Sequence, residues 1–194
     1  KISPETPNMD LPVSVKPDKP LSAADVMAVT RDKSYGTSFD PVKGIRGGPY
    51  QNPNYYSGTR KISVANVEYT SLVQCRGGLP NDIGGIVWLA FGPQDTAVYM
   101  PLYAGITAMP KSFTVGDHFE LNRASARWAF DYTDFHVQVA YSEAIEDVKK
   151  AQAEYEGGAI QKIPEIDKQA QDLYAKSPVK AREFLTKFCL DNAQ

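Results

Sequence analysis

Six consecutive apolar residues, Ile86-Val87-Trp88-Leu89-Ala90-Phe91, constrain this chain more than any other feature. They are rich in β-branched and aromatic side chains and lie between two turn signals, Gly77 to Asp82 and Gly92-Pro93-Gln94-Asp95. A strand sealed on one face only alternates apolar with polar residues, whereas this run is apolar at both odd and even positions. Its sheet is therefore expected to be covered on both faces. Tyr69 to Arg76 and Thr96 to Tyr103 flank it, and the three runs read as an antiparallel meander. Ile62 to Val67 reads as a further short strand. A 194-residue chain with so few strands is not expected to supply both covers, which points to other polypeptide as the second one.

The regions on either side differ in kind. Residues 1–60 read as an extended segment, a short helix and a long loop. Lys1 to Pro20 carries five prolines and is expected to run extended over a surface. Ser22 and Asp25 have the spacing of a capping box, opening a helix to about Arg31. Tyr35 to Thr59 is dominated by Gly, Pro, Asn and Tyr and reads as a loop; a loop of this length is either functional or pinned to the surface, here by its tyrosines. The strands occupy 61–104 and helices 124–192. Helical periodicity is nearly continuous from Ala124 to Glu156, with Val137, Ala140, Tyr141, Ala144, Ile145, Val148 and Ala151 on one stripe and Glu146 and Lys150 outside. Gly157-Gly158 is expected to end that helix, and Pro164 to open another to about Ala175. Ser177 and Pro178 then cap the last helix, whose inner stripe is Ala181, Phe184, Leu185, Phe188 and Cys189.

Composition removes whole classes of function. Lys and Arg total 21 against 23 Asp and Glu, a net charge of −2 that gives no reason to expect a nucleic-acid partner. No run approaches the roughly 18 apolar residues of a membrane helix, and no membrane partner is expected. The chain opens at Lys1, with no leader pattern, and reads as a piece of something longer. Two cysteines far apart, Cys75 and Cys189, make neither a disulfide framework nor a zinc site; both read as buried apolar thiols, a single bridge between them being the alternative. With only His118 and His136, a histidine-rich metal centre is not expected. Cys75 in an apolar strand would have a blunted thiol. The chain has no Gly-x-Ser-x-Gly elbow, no phosphate-binding loop and no dinucleotide fingerprint.

What remains is the turn CRGGLPNDIGG. Arg76 ends a strand and its guanidinium can grip a carboxylate bidentately. Asn81 and Asp82 follow in a glycine-flanked turn. Arg76, Asn81 and Asp82 are thus the candidate substrate-binding residues at a sheet rim. The competing reading is that Arg76 pairs with a local carboxylate and the glycines merely shape the hairpin.

Several segments in order carry a family resemblance: VSVKP (13–17), DVMAVTRDKSYGTSFDPVKG (25–44), GGPYQNP (47–53), CRGGLPNDIGGIVWLAFG (75–92), TAVYMPLYAGI (96–106), RWAFDYTDFHVQVAYSEAIEDV (127–148) and SPVKAREFLTKF (177–188). Together they resemble the dipeptidases of the PepD type over essentially the whole chain. One departure is that Gly77 and Gly78 stand where relatives often carry a bulky aromatic residue, which implies a reshaped pocket. The resemblance implies an α+β fold, part of a four-layer αββα N-terminal-nucleophile hydrolase sandwich, with residues 1–194 as the C-terminal portion of a single hydrolase domain. It implies cysteine dipeptidase activity through an acyl-enzyme, with a chain-terminal Cys as nucleophile and its own α-amine as base. Because position 1 is Lys, no catalytic residue is expected in this chain, which alone would be inactive. The implied partners are an upstream N-terminal portion of the same protein and a small peptide substrate, with homo-oligomerisation left open and no metal or organic cofactor. A bacterial source is implied, with neither export to the cell envelope nor the cytoplasm singled out. The alternatives are an amidohydrolase or acyltransferase of the same superfamily, and a non-catalytic binding or structural module.

Overall fold

A computed structural model describes residues 12–56, 58 and 60–193. Residues 1–11 of the proline-rich segment lie outside that range. The order of elements is α1 (Ala23–Thr30), β1 (Tyr69–Cys75), α2 (Asn81–Gly84), β2 (Gly85–Phe91), β3 (Met100–Tyr103), a 3-10 turn (Lys111–Phe113), α3 (Ala126–Val139), α4 (Tyr141–Tyr174) and α5 (Pro178–Asn192). The fold is α+β, with one three-stranded antiparallel sheet in the order β1-β2-β3 and helices after it.

The meander forms where the apolar runs and turn residues place it. Register pairs Val73 with Val87, Cys75 with Gly85 and Ile86 with Tyr103. Ile86, Trp88 and Ala90 are fully buried beneath α4 and α5, and the Trp88 indole donates to Gln74 Oε1 across the strands at 3.1 Å. Tyr103 stacks edge-on against Phe188 of α5, and its backbone N–H donates to Cys189 Sγ. The opposite face is covered only in part. Phe91 meets Phe113 edge-to-face, while Val87 and Leu89 are half-buried. On β1, Tyr69, Ser71, Val73 and Cys75 are exposed, Val73 at 68%. Within the described residues, the two-sided cover expected of this sheet is therefore complete on one face only. Cys75, expected to be buried, falls on the open face because the strand's alternation puts it there; Cys189 is buried, and the two thiols are free rather than bridged.

Other expectations are corrected by tertiary contacts. Residues 62–67 form bends and a turn rather than a strand, because Lys61 and Ser63 are drawn inward by polar partners. The third strand starts at Met100, not Thr96: the N–H groups of Thr96 and Ala97 fold back onto Pro93 O in a turn that points Asp95 inward. The long helical stretch breaks at Ala140, with φ −140° and ψ 61°. From Tyr141 onward α4 continues for 34 residues through Gly157, Gly158 and Pro164. Two glycines cost about 1 kcal/mol each and a helix-interior proline costs more. A buried row of Ile145, Gln152, Glu156, Ala159, Ile163 and Ala170 along one side of α4 offsets those penalties.

The capping box of α1 is present: Asp25 N donates to Ser22 Oγ at 3.1 Å and Ser22 N donates to Asp25 Oδ2 at 2.8 Å. Ser177 caps α5. Between α1 and β1, residues 35–56 form successive turns without helix or strand. Asparagines and tyrosines both pin them: Asn52 Nδ2 donates to Gln138 O and Oε1, Asn54 Nδ2 donates to Gln138 Oε1, Tyr35 hydrogen-bonds Tyr141 and Ser142 N donates to Tyr50 O, while the rings of Tyr50 and Tyr55 stay exposed. Lys149, not Lys150, pairs with Glu146 on the outer side of α4.

Candidate functional site

The β1–β2 connection holds the three sequence-predicted residues at one end of the sheet. Gly78 turns the chain with φ +84°, and Pro80 leads into the single turn of α2. Arg76 leaves β1 and reaches back over this turn. Its guanidinium pairs with Asp167 of α4 and donates to Ile83 O. Tyr103 Oη donates to the other oxygen of Asp167 at 2.8 Å, so one carboxylate joins β3, the hairpin and α4. Burial and that carboxylate push the Tyr103 phenol well above its usual range and keep it a donor. Asp82 is held from the far side: Arg182 Nε of α5 donates to its Oδ2 at 2.9 Å. The approach is close enough that Gly105 needs its missing side chain, since a Cβ there would lie 2.6 Å from the Cβ of Asp82. Asn81 is exposed, and its side chain makes no hydrogen bond within the described residues. Arg76, Asn81 and Asp82 thus share one rim, with Arg76 and Asp82 engaged by their own chain and Asn81 free.

A second polar centre is invisible in the sequence. Lys33, 1% exposed, lies 3.0 Å from Asp95 Oδ1, itself 6% exposed. The ammonium also donates to Asn54 Oδ1 and Ser63 O. Asp95 accepts from Ser63 Oγ at 2.8 Å and from Tyr141 Oη at 2.9 Å. Burial lowers the Lys33 ammonium from its ordinary value, opposed by the Asp95 charge. Nearby, Arg31 grips Glu156 with Nη1 2.8 Å from Oε2, and Glu156 Oε1 accepts from Tyr99 N. Gln152 Nε2 donates to Asp95 O and Ala97 O. This network ties α1, the loop, the β2–β3 turn and α4 together. Neither Lys33 nor Asp95 lines the three cavities defined by the described residues, and the network holds these segments in register.

The two thiols differ sharply. Burial pushes Cys189 up to about 11, so its thiolate is scarce at neutral pH. Cys75 is exposed at the end of β1. His136, on α3, hydrogen-bonds Tyr132 O at 2.7 Å and packs against Tyr132 and Phe135.

Comparison with known proteins decides the family. The family model for peptidase family C69 matches residues 1–154, well over half of the chain. The chain belongs to peptidase family C69. Among curated relatives, dipeptidase A of Lactobacillus helveticus is 27% identical over 116 residues, 60% of this chain and 23% of the relative. A probable dipeptidase of Salmonella dublin is 32% identical over 101 residues, 52% of this chain and 22% of the relative. A probable dipeptidase B of Streptococcus pyogenes serotype M1 is 23% identical over 185 residues, 91% of this chain and 36% of the relative. The chain thus spans about a quarter to a third of the length of the curated relatives it matches. These relatives are bacterial, and none of the described helices is long and apolar enough to cross a membrane. The C69 match takes in the meander, Arg76, Asn81, Asp82 and the Lys33–Asp95 network, but stops before Asp167 and Arg182, the partners of Arg76 and Asp82.

Proposed function

We propose that this C69 chain is the C-terminal part of a cysteine dipeptidase that hydrolyses short peptides through an acyl-enzyme. The observation that carries the reading is family membership, joined to relatives named as dipeptidases of which the matched region covers only 22% to 36%. The nucleophile in this reading is an upstream cysteine made chain-terminal. Its free α-amine takes the thiol proton, and the thiolate attacks the peptide carbonyl. The C–N bond breaks, the amine leaves with that proton, and water releases the acyl group as a carboxylate. The burial of Cys189 and its raised pKa support placing the reactive sulfur elsewhere. The half-open sheet supports the larger architecture: the exposed β1 face, with Tyr69 and Val73, is where a second sheet from upstream would pack to complete a four-layer αββα sandwich. Arg76, Asn81 and Asp82 serve as substrate-side groups in this reading. Asn81 is the one with free hydrogen-bonding capacity, and the Arg76–Asp167 and Asp82–Arg182 pairs fix the rim around it.

The test compares full-length protein with the 194-residue chain on a panel of dipeptides, reading released amino acids. Thiol-dependent turnover is expected from the full-length protein and none from the chain. Appreciable thiol-dependent turnover by the pure chain would overturn the proposal.

A further inference from the structure

The two edges of the sheet differ, and the sequence of each edge strand explains why. In an antiparallel ladder, successive residues alternate between turning N–H and C=O toward the neighbouring strand and turning them away. Just outside the ends of β1, Gly92 N donates to Glu68 O at 2.8 Å and Arg76 N donates to Gly84 O at 2.9 Å. Counting by twos between Glu68 and Arg76, Thr70, Leu72 and Gln74 face β2, while Tyr69, Ser71, Val73 and Cys75 turn their backbone groups outward. Among the described residues, no hydrogen bond meets those outward groups. β3 is different. Ala104 N donates to Gly85 O at 2.9 Å, so the same count leaves Pro101 and Tyr103 facing outward. Pro101 has no N–H, and Tyr103 N already donates to Cys189 Sγ of α5. The sheet is thus closed to a further strand at β3 and open to one at β1. β1 also lacks the devices that keep an exposed edge from pairing: its seven residues include no Pro, no Gly and no charge, and no bulge interrupts its register.

We propose that β1 pairs along its free edge with a strand of the upstream polypeptide, so that the meander continues as one larger sheet with β1 in its interior. The inference rests on the reading of this chain as the C-terminal part of a longer protein, and on relatives of which the matched region covers only 22% to 36%. It deepens that reading, because upstream residues then share this sheet as well as packing on its face. A second copy of the chain is the poorer occupant. Paired through β1, it would satisfy the edge but leave Tyr69 and Val73, 63% and 68% exposed, bare in both copies. Upstream polypeptide can meet the edge and the face together.

The test is amide hydrogen exchange of the substrate-free full-length protein, resolved to single amides by mass spectrometry and corrected for intrinsic rates. Ladder N–H groups lie in the plane of the sheet, so a layer on its face alone leaves the outward ones to water. A paired edge is expected to bring Ser71 and Val73 to within about tenfold of Leu72 and Gln74. Exchange of Ser71 and Val73 faster than that would overturn the proposal, since the alternation of a free edge would persist. Protection that disappears on dilution would also overturn it, by assigning the edge to a second copy. Dipeptide turnover is read on the same sample. Turnover with an unprotected edge overturns the pairing alone, whereas protection without turnover supports the pairing and removes the hydrolase reading.

Discussion

Removing the carboxylate of Asp95 tests the buried network most severely. Asp95→Ala takes the counter-ion from Lys33, which is 1% exposed, and the acceptor from Ser63 Oγ and Tyr141 Oη. A surface ion pair is worth about 0–1 kcal/mol, but breaking a buried pair leaves an uncompensated charge and costs roughly 3–5 kcal/mol. At about 1.4 kcal/mol per decade, that is a two- to three-and-a-half-decade rise in opening. Hydrogen exchange of the full-length protein should show it as loss of protection in residues 33–63 and 93–99 together. Lys33→Met with Asp95→Ala should cost less than Asp95→Ala alone, because no lone charge stays buried. The pH dependence has a fixed direction. Burial lowers the Lys33 pKa below its unfolded value of 10.5. The unfolded state therefore holds the proton more tightly, and stability rises with pH between the folded and unfolded values. The Asp95→Ala defect should accordingly shrink as pH is raised from neutral toward 10.5. A cost under about 1 kcal/mol, or a double variant worse than the single, would refute the reasoning.

Three further outcomes follow from the same geometry. Cys189 has its pKa raised from 9.0 to about 11, so the stability linked to its thiol is present below pH 9 and lost as pH rises through 11. The loss is at most about 3 kcal/mol, and Cys189→Ala should flatten the alkaline slope of urea midpoints across pH 9–11. Of the two cysteines in this chain, Cys189 should alkylate with iodoacetamide only on unfolding, read by peptide mass spectrometry, and Cys75 of the full-length protein should be slowed relative to a small thiol because the upstream sheet covers the β1 face; rapid labelling of Cys189 in native buffer would contradict its burial. Asn81→Ala should raise the KM of the full-length enzyme for dipeptides several-fold with hydrogen exchange unchanged, whereas Arg76→Met, which strips Asp167 of its cation, should also loosen the contact between the hairpin and α4; an unaltered KM in Asn81→Ala would remove Asn81 from the substrate rim.

The parts of this fold that could be read from sequence are those fixed by neighbours in the chain. The meander follows from apolar runs between Gly-Pro and Gly-Gly turns, and the Ser22–Asp25 box and the Ser177 cap are contained within four residues. The Val137–Tyr141–Ile145 stripe packs as one cluster although the helix carrying it breaks at Ala140. What could not be read depends on distant contacts. Gly157-Gly158 is a stop signal by propensity, and only the buried row along α4 carries the helix through it. Arg76 and Asp82 have partners 91 and 100 positions away, beyond the reach of periodicity. Lys33, in a loop of Gly, Asp and Ser, reads as a solvated charge; its burial is created by Asn54, Ser63 and Asp95 converging from three other turns. Cys75 was misplaced because the apolar run around it belongs to an edge strand whose outer side is open.

The claim most in need of a direct measurement is that the reactive sulfur of this C69 protein lies outside these residues. Full-length protein would be inactivated with a thiol-directed electrophile carrying a dipeptide, and the site of labelling mapped by mass spectrometry. Labelling of one upstream cysteine with a free α-amine, in proportion to lost activity and with Cys75 and Cys189 unmodified, is the predicted result. Stoichiometric, activity-linked labelling of Cys75 would contradict it.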